Sequence, residues 1–90
     1  MQRKNKKTLH LVEKFGNIVK KNREKFYKSR RLFAYEYDLD SGNLTRIENG
    51  KIDPKLTMLW RIAEALNIPL SQLFKELEKE LGENFHIIDI

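Results

Sequence analysis

The chain has 90 residues, enough for one domain, and no cysteine, which excludes disulfides, thiolate metal sites and cysteine nucleophiles. Its formal charge of +5 is unevenly spread: residues 1–31 carry twelve Lys or Arg against two acids, and residues 32–90 six against eleven. A segment this basic is either drawn to a polymer of phosphates by counterion release or is ordinary solvated charge. It lacks the Trp- and Leu-rich apolar face that a membrane-surface helix needs.

No apolar run is long enough for a secretory signal or a spanning helix, so cytoplasmic residence is the default expectation. Residues 1–8, with Arg3, Lys4, Lys6 and Lys7, read as a basic arm. From there the hydrophobic spacing is helical throughout. Leu11, Val12, Phe15, Ile18, Val19, Asn22 and Phe26 share one stripe, which predicts a first helix over residues 9–26 with Thr8 as N-cap. Ser29 caps a second helix, residues 30–37, whose inward face is Phe33, Ala34 and Tyr37.

Asp38-Leu39-Asp40 breaks the pattern. Asp40 then caps a third helix, residues 41–49, buried through Leu44 and Ile47. Gly50 ends it, because glycine takes the left-handed backbone without steric penalty. Asp53-Pro54 forces a non-helical step. A fourth helix, residues 56–66, turns Leu56, Leu59, Ile62, Ala63 and Leu66 inward. Pro69 and Ser71 open a fifth, residues 70–81, with Leu70, Leu73, Phe74, Leu77 and Leu81 on one side and Gly82 after it. Residues 83–90 form a short apolar tail. No segment alternates over a length that suggests a sheet, so the fold class is all-α: a compact five-helix domain over residues 9–82. Tyr35, Tyr37, Trp60 and the five phenylalanines read as core or core-edge, and His10 and His86 as plain surface residues.

The second and third helices, joined by a three-residue break, can cross steeply and present the third to a DNA groove. Burial of Leu44 and Ile47 leaves Ser41, Gly42, Asn43, Thr45 and Arg46 outward. Arginine can bond guanine twice, asparagine can do the same to adenine, and Ser or Thr serve either. For an isolated helix the same residues would be an ordinary solvated face. No acid pair, nucleophile with base, metal cluster or phosphate-cradling glycine loop is present, so no enzyme, metal or cofactor is expected.

Residues 12–74 resemble the Cro/C1-type helix-turn-helix family, also called the XRE family, of phage repressors and bacterial regulators. The resemblance is carried by Ser29-Arg30-Arg31-Leu32-Phe33-Ala34, by Asn43-Leu44-Thr45-Arg46-Ile47-Glu48-Asn49-Gly50-Lys51, by Pro54 to Leu59, and by Ile62-Ala63-Glu64-Ala65-Leu66 through Phe74. It implies a lambda-repressor-like five-helix fold that binds double-stranded DNA. It also implies base contacts from Ser41, Gly42, Asn43, Arg46 and Thr45, and phosphate contacts from Ser29, Arg30, Asn49 and Lys51. Arg23 and Glu48 would form a structural ion pair. Arg30 stands where the family has glutamine, which makes that contact charged. Tyr27 and Lys28 replace a glycine and a leucine, so Phe26 or Tyr27 must supply the missing core contact. Asp38 replaces a glycine in the turn and, with Asp40, brings negative charge near the DNA face.

The basic arm either follows the DNA backbone into a minor groove or is a solvated terminus. Leu77, Leu81, Phe85, Ile87, Ile88 and Ile90 offer more apolar surface than one docked helix needs. They fold back on the domain's own core or form a two-fold dimer interface, the reading favoured because pseudo-palindromic operators require a dimer. The expected function is sequence-specific transcriptional regulation, as a repressor and homodimer. The alternative is an antitoxin or adaptor whose C-terminal helix and tail bind a protein partner.

Overall fold

The computed structural model describes residues 6–27 and 29–88, and among them every regular element is a helix: α1 (Lys6–Glu24), α2 (Arg30–Glu36), α3 (Ser41–Glu48), α4 (Leu56–Ala65) and α5 (Leu70–Leu81). α1 packs on α3 and α5, α2 on α3, and α4 on α5. Phe33, Leu44, Ile47, Ile62, Leu73 and Val19 are fully buried between them. None of the described helices is long and apolar enough to cross a membrane.

The short helices are set by their ends. The Ser29 side chain accepts from the Leu32 N–H and that of Asp40 from the Asn43 N–H, so both expected caps are in place. α2, α3 and α4 then close alike, each on one residue in the left-handed region: Asp38 (φ 53°), Gly50 (φ 68°) and Asn67 (φ 60°). In each, the next N–H reaches back to a carbonyl of the last turn, Leu39 to Ala34 at 2.8 Å, Lys51 to Arg46 at 2.8 Å and Ile68 to Ala63 at 3.1 Å. Aspartate and asparagine tolerate this conformation better than most residues. Leu39 is thereby delivered to the core.

Four features depart from the sequence reading. α1 is already helical at Lys6, so Thr8 lies inside the helix rather than capping it, and Lys6 to Thr8 do not belong to an arm. Residues 1–5 lie outside the described residues. Tyr27, not Phe26, fills the gap after α1: it packs on the core with its ring 5.3 Å from that of Phe33, while Phe26 is 73% exposed. Tyr35 and Trp60 are exposed as well, since each projects from its helix away from the buried stripe, whereas Tyr37 and Phe74 lie at the core edge, their rings 5.4 Å from Phe33 and 6.4 Å from Phe15. Leu56 is likewise exposed, at the open first turn of α4.

α1 and α5 are joined through polar groups. Asn22 Nδ2 donates to the Ile18 carbonyl and to Glu76, both at 2.9 Å, and Gln72 donates to the other oxygen of Glu76 at 3.0 Å. The bonds from Gln72 and Asn22, helped by Lys25 and Lys21, hold the Glu76 carboxyl below its ordinary pKa.

Candidate nucleic-acid interface

α3 is fixed from behind by backbone. Gly16 of α1 faces it so closely that a Cβ there would fall on the Ile47 carbonyl oxygen and within 3.0 Å of that of Glu48. A glycine inside a helix costs about 1 kcal/mol relative to alanine; here it permits the close crossing. Gly50 is confined too, because a Cβ would stand 2.6 Å from Cγ of Glu13.

A buried charge cluster ties α1, α2 and α3 together. Arg23 donates through Nε to Glu48 Oε2 at 2.7 Å and through Nη2 to Oε1 at 2.9 Å, the two side chains being 3% and 0% exposed. The bond to Glu48 raises the Arg23 pKa, and it outweighs the opposing effect of burial. Arg30 Nη1 also donates to Glu48 Oε1, at 3.1 Å. One carboxylate thus faces two guanidiniums, and the surplus positive charge sits at Arg30, whose side chain is 31% exposed. From sequence, Arg30 is assigned only a phosphate contact. Its tie to Glu48, eighteen residues away, is a tertiary contact with no local signal.

With Leu44 and Ile47 buried, Ser41, Gly42, Arg46 and Asn49 are exposed and Asn43 and Thr45 half-buried on the outer side of α3. Ser29 and Lys51 are exposed beside it. Thr45 Oγ1 donates to the Ser41 carbonyl at 2.9 Å, and Arg46 Nη2 to Asn43 Oδ1 at 2.6 Å. The Asp40 carboxylate, which the sequence set near the DNA face, is engaged by the Asn43 N–H at 2.8 Å.

Two shallow hollows flank α3, neither legible in the sequence. One, at its start, is bounded by Ser41, Arg31 and Tyr35; the other, along its side, by Asn43, Lys55, Thr57 and Arg61. A cationic side chain therefore stands on each flank of the outward helix, Arg31 with Asp38 in the first hollow and Lys55 and Arg61 with Asp53 in the second. Arg31 adjoins the Ser29-Arg30 cap, which was a usable clue. Arg61 is seven residues beyond the proline turn, and only the fold brings it here.

The sequence matches the helix-turn-helix family over residues 19–73, more than half of the chain. The chain belongs to the Cro/C1-type helix-turn-helix family. It is also 46% identical over 68 residues to the control protein C.MunI of Mycoplasma sp., an alignment covering 74% of this chain and 92% of that protein. The helix-turn-helix is formed by α2, the Asp38 turn and α3, and the chain is a DNA-binding transcriptional regulator.

The apolar end of this helix-turn-helix protein divides in two. Leu77 packs into the core at 9% exposure and lines the hollow that also holds Ile87, so little of its surface is left for a second copy. Leu81 and Phe85 are half-buried, Phe85 lying with its ring 6.0 Å from that of His10. Ile87 and Ile88 stay exposed, at 38% and 65%, and Ile90 is outside the described residues. Ile87 shares an apolar hollow with Leu59 and Phe74, and Leu56 and Trp60 project one turn apart from α4.

Proposed function

We propose that the chain represses or otherwise controls transcription by inserting α3 into the major groove of a specific duplex, as a homodimer. The observation that carries this reading is the outward side of α3, free of the protein's own body and flanked by cations on both sides. A B-DNA major groove is about 12 Å wide and bordered by two phosphate strands. Ser41, Gly42, Asn43, Thr45 and Arg46 then face the base edges. Ser29, Arg30 and Arg31 meet one strand, and Asn49, Lys51, Lys55 and Arg61 meet the other. The Glu48 carboxylate holds Arg30 at the rim, where its unbalanced charge favours a phosphate. The likeness to a control protein supports a regulatory role.

A dimer is supported by Leu56, Trp60, Phe74, Ile87 and Ile88, an exposed apolar set on the α4–α5 side of the molecule. An antitoxin or adaptor partner would use the same surface. Selection of bound sequences from a random duplex library tests the reading. It should return two inverted half-sites about one helical turn apart, with affinity falling steeply as salt rises. Recovery of no preferred sequence would refute it.

A further inference from the structure

Asn43 and Arg46 were read separately, as an adenine reader and a guanine reader. The side chains are instead joined: Arg46 Nη2 donates to Asn43 Oδ1 at 2.6 Å. A guanidinium only donates, so the amide oxygen is the accepting atom, and it is the same oxygen that bidentate recognition would offer to adenine N6. Gly42 completes the arrangement. A Cβ at Gly42 would lie 3.3 Å from Asp40 Oδ1 and 3.5 and 3.6 Å from the two terminal nitrogens of Arg46, so the guanidinium runs back over the first turn of α3, where it and the Asp40 carboxylate border a residue with no side chain. Arg46 thus stands beside Asn43 and over Gly42 before any ligand arrives.

We infer that Asn43 is a positioning residue, not a base reader, and that it holds Arg46 as a preset clamp for a guanine in each half-site. The donor inventory allows this: one of five guanidinium N–H groups goes to Asn43, and both terminal nitrogens keep hydrogens for guanine O6 and N7. An arginine ordered in advance loses less rotamer freedom on binding, an effect of about 2- to 12-fold in affinity per long side chain. A wrong base at the position should lose the whole bidentate contact, about 5- to 150-fold. This inference rests on the groove-insertion reading above and sharpens it: the half-site carries a guanine read by Arg46 and no adenine read by Asn43.

The test is competition binding on the selected operator and on duplexes with each base pair substituted in turn, using wild type, Asn43→Ala, Asn43→Asp, Arg46→Ala and the double alanine variant. Both residues are on the outer side of α3, and melting curves check that each variant folds. Arg46→Ala should lose the preference for one guanine. Asn43→Ala should weaken the same preference by about 2- to 12-fold, and the double variant should match Arg46→Ala. Asn43→Asp, which keeps an acceptor but cannot donate, should retain the guanine preference while binding every duplex more weakly. If Asn43→Ala leaves that preference intact and relaxes a different, adenine-containing position, the pair is not a unit and the inference falls. The inference also falls if Asn43→Asp abolishes the guanine preference. A wild type that selects no sequence sinks the groove-insertion reading, and this inference with it; a selective wild type with the wrong variant pattern sinks only this inference.

Discussion

Replacing Glu48 by alanine removes the carboxylate that two arginines share, and the two do not respond alike. Arg23 is 3% exposed and has nowhere to turn, whereas Arg30 is 31% exposed and can swing into water. Stranding a buried charge costs about 3–5 kcal/mol, while the exposed arm of the cluster contributes about 1 kcal/mol or less. A 90-residue domain has a total stability of about 5–13 kcal/mol. The substitution therefore removes about a quarter of it or more and lowers Tm by about 12–40 °C, at 4–8 °C per kcal/mol for a domain of this size. Thermal and urea unfolding followed by circular dichroism measure this directly, with Arg30→Ala as the comparison, expected within about 1 kcal/mol of wild type. The paired replacement Arg23→Met/Glu48→Leu should recover most of the loss, because it leaves no charge buried. A Glu48→Ala protein within about 1 kcal/mol of wild type would refute the reasoning.

Three other outcomes follow from the geometry. Gly16→Ala should destabilise by about 1–3 kcal/mol through overpacking, despite alanine's better helix propensity, because the obstacle is the backbone of α3; a rise in Tm would contradict the close crossing. Leu56→Glu, at a position 67% exposed, should keep the helical circular-dichroism spectrum, convert a dimer to a monomer in sedimentation at micromolar concentration and lose the dimer's concentration-dependent rise in Tm. A wild-type protein that is already monomeric there ends the dimer reading. Glu76 has a folded-state pKa below its ordinary value of 4.5, so the stability it contributes is fully present above that value and is lost as pH falls through the lower, folded one. Tm measured against pH should accordingly drop less on the acid side for Glu76→Gln than for wild type.

The helix ends were legible because their signals are local. Asp40 as cap, Asp38 and Gly50 in left-handed turns, and the limits of α5 all rest on residues within one turn of the feature. The start of α1 was not, since its first turn carries no acidic residue to announce a helix and Thr8 offers a competing cap two residues inside it. Aromatic residues misled for another reason. Trp60 and Tyr35 look like core by type, yet helical spacing sets them off the stripes of Ile62–Ala63–Leu66 and Phe33–Ala34. In the site, the Asn43–Arg46 contact lies at a spacing of three on one helix and could have been read from the sequence. The Arg30–Glu48 bond, the Gly16 crossing and the approach of Arg61 to α3 depend on how helices meet, which spacing along one chain does not encode.

Because α1 seats α3 through a glycine against main-chain carbonyls, that seat involves none of the outer side chains of α3. On the groove-insertion reading, Ser41, Asn43 and Arg46 form a cassette that can be exchanged while this backbone contact keeps the scaffold in register. Rewriting a handful of codons, with Gly16 left alone, would then readdress the protein to a different duplex.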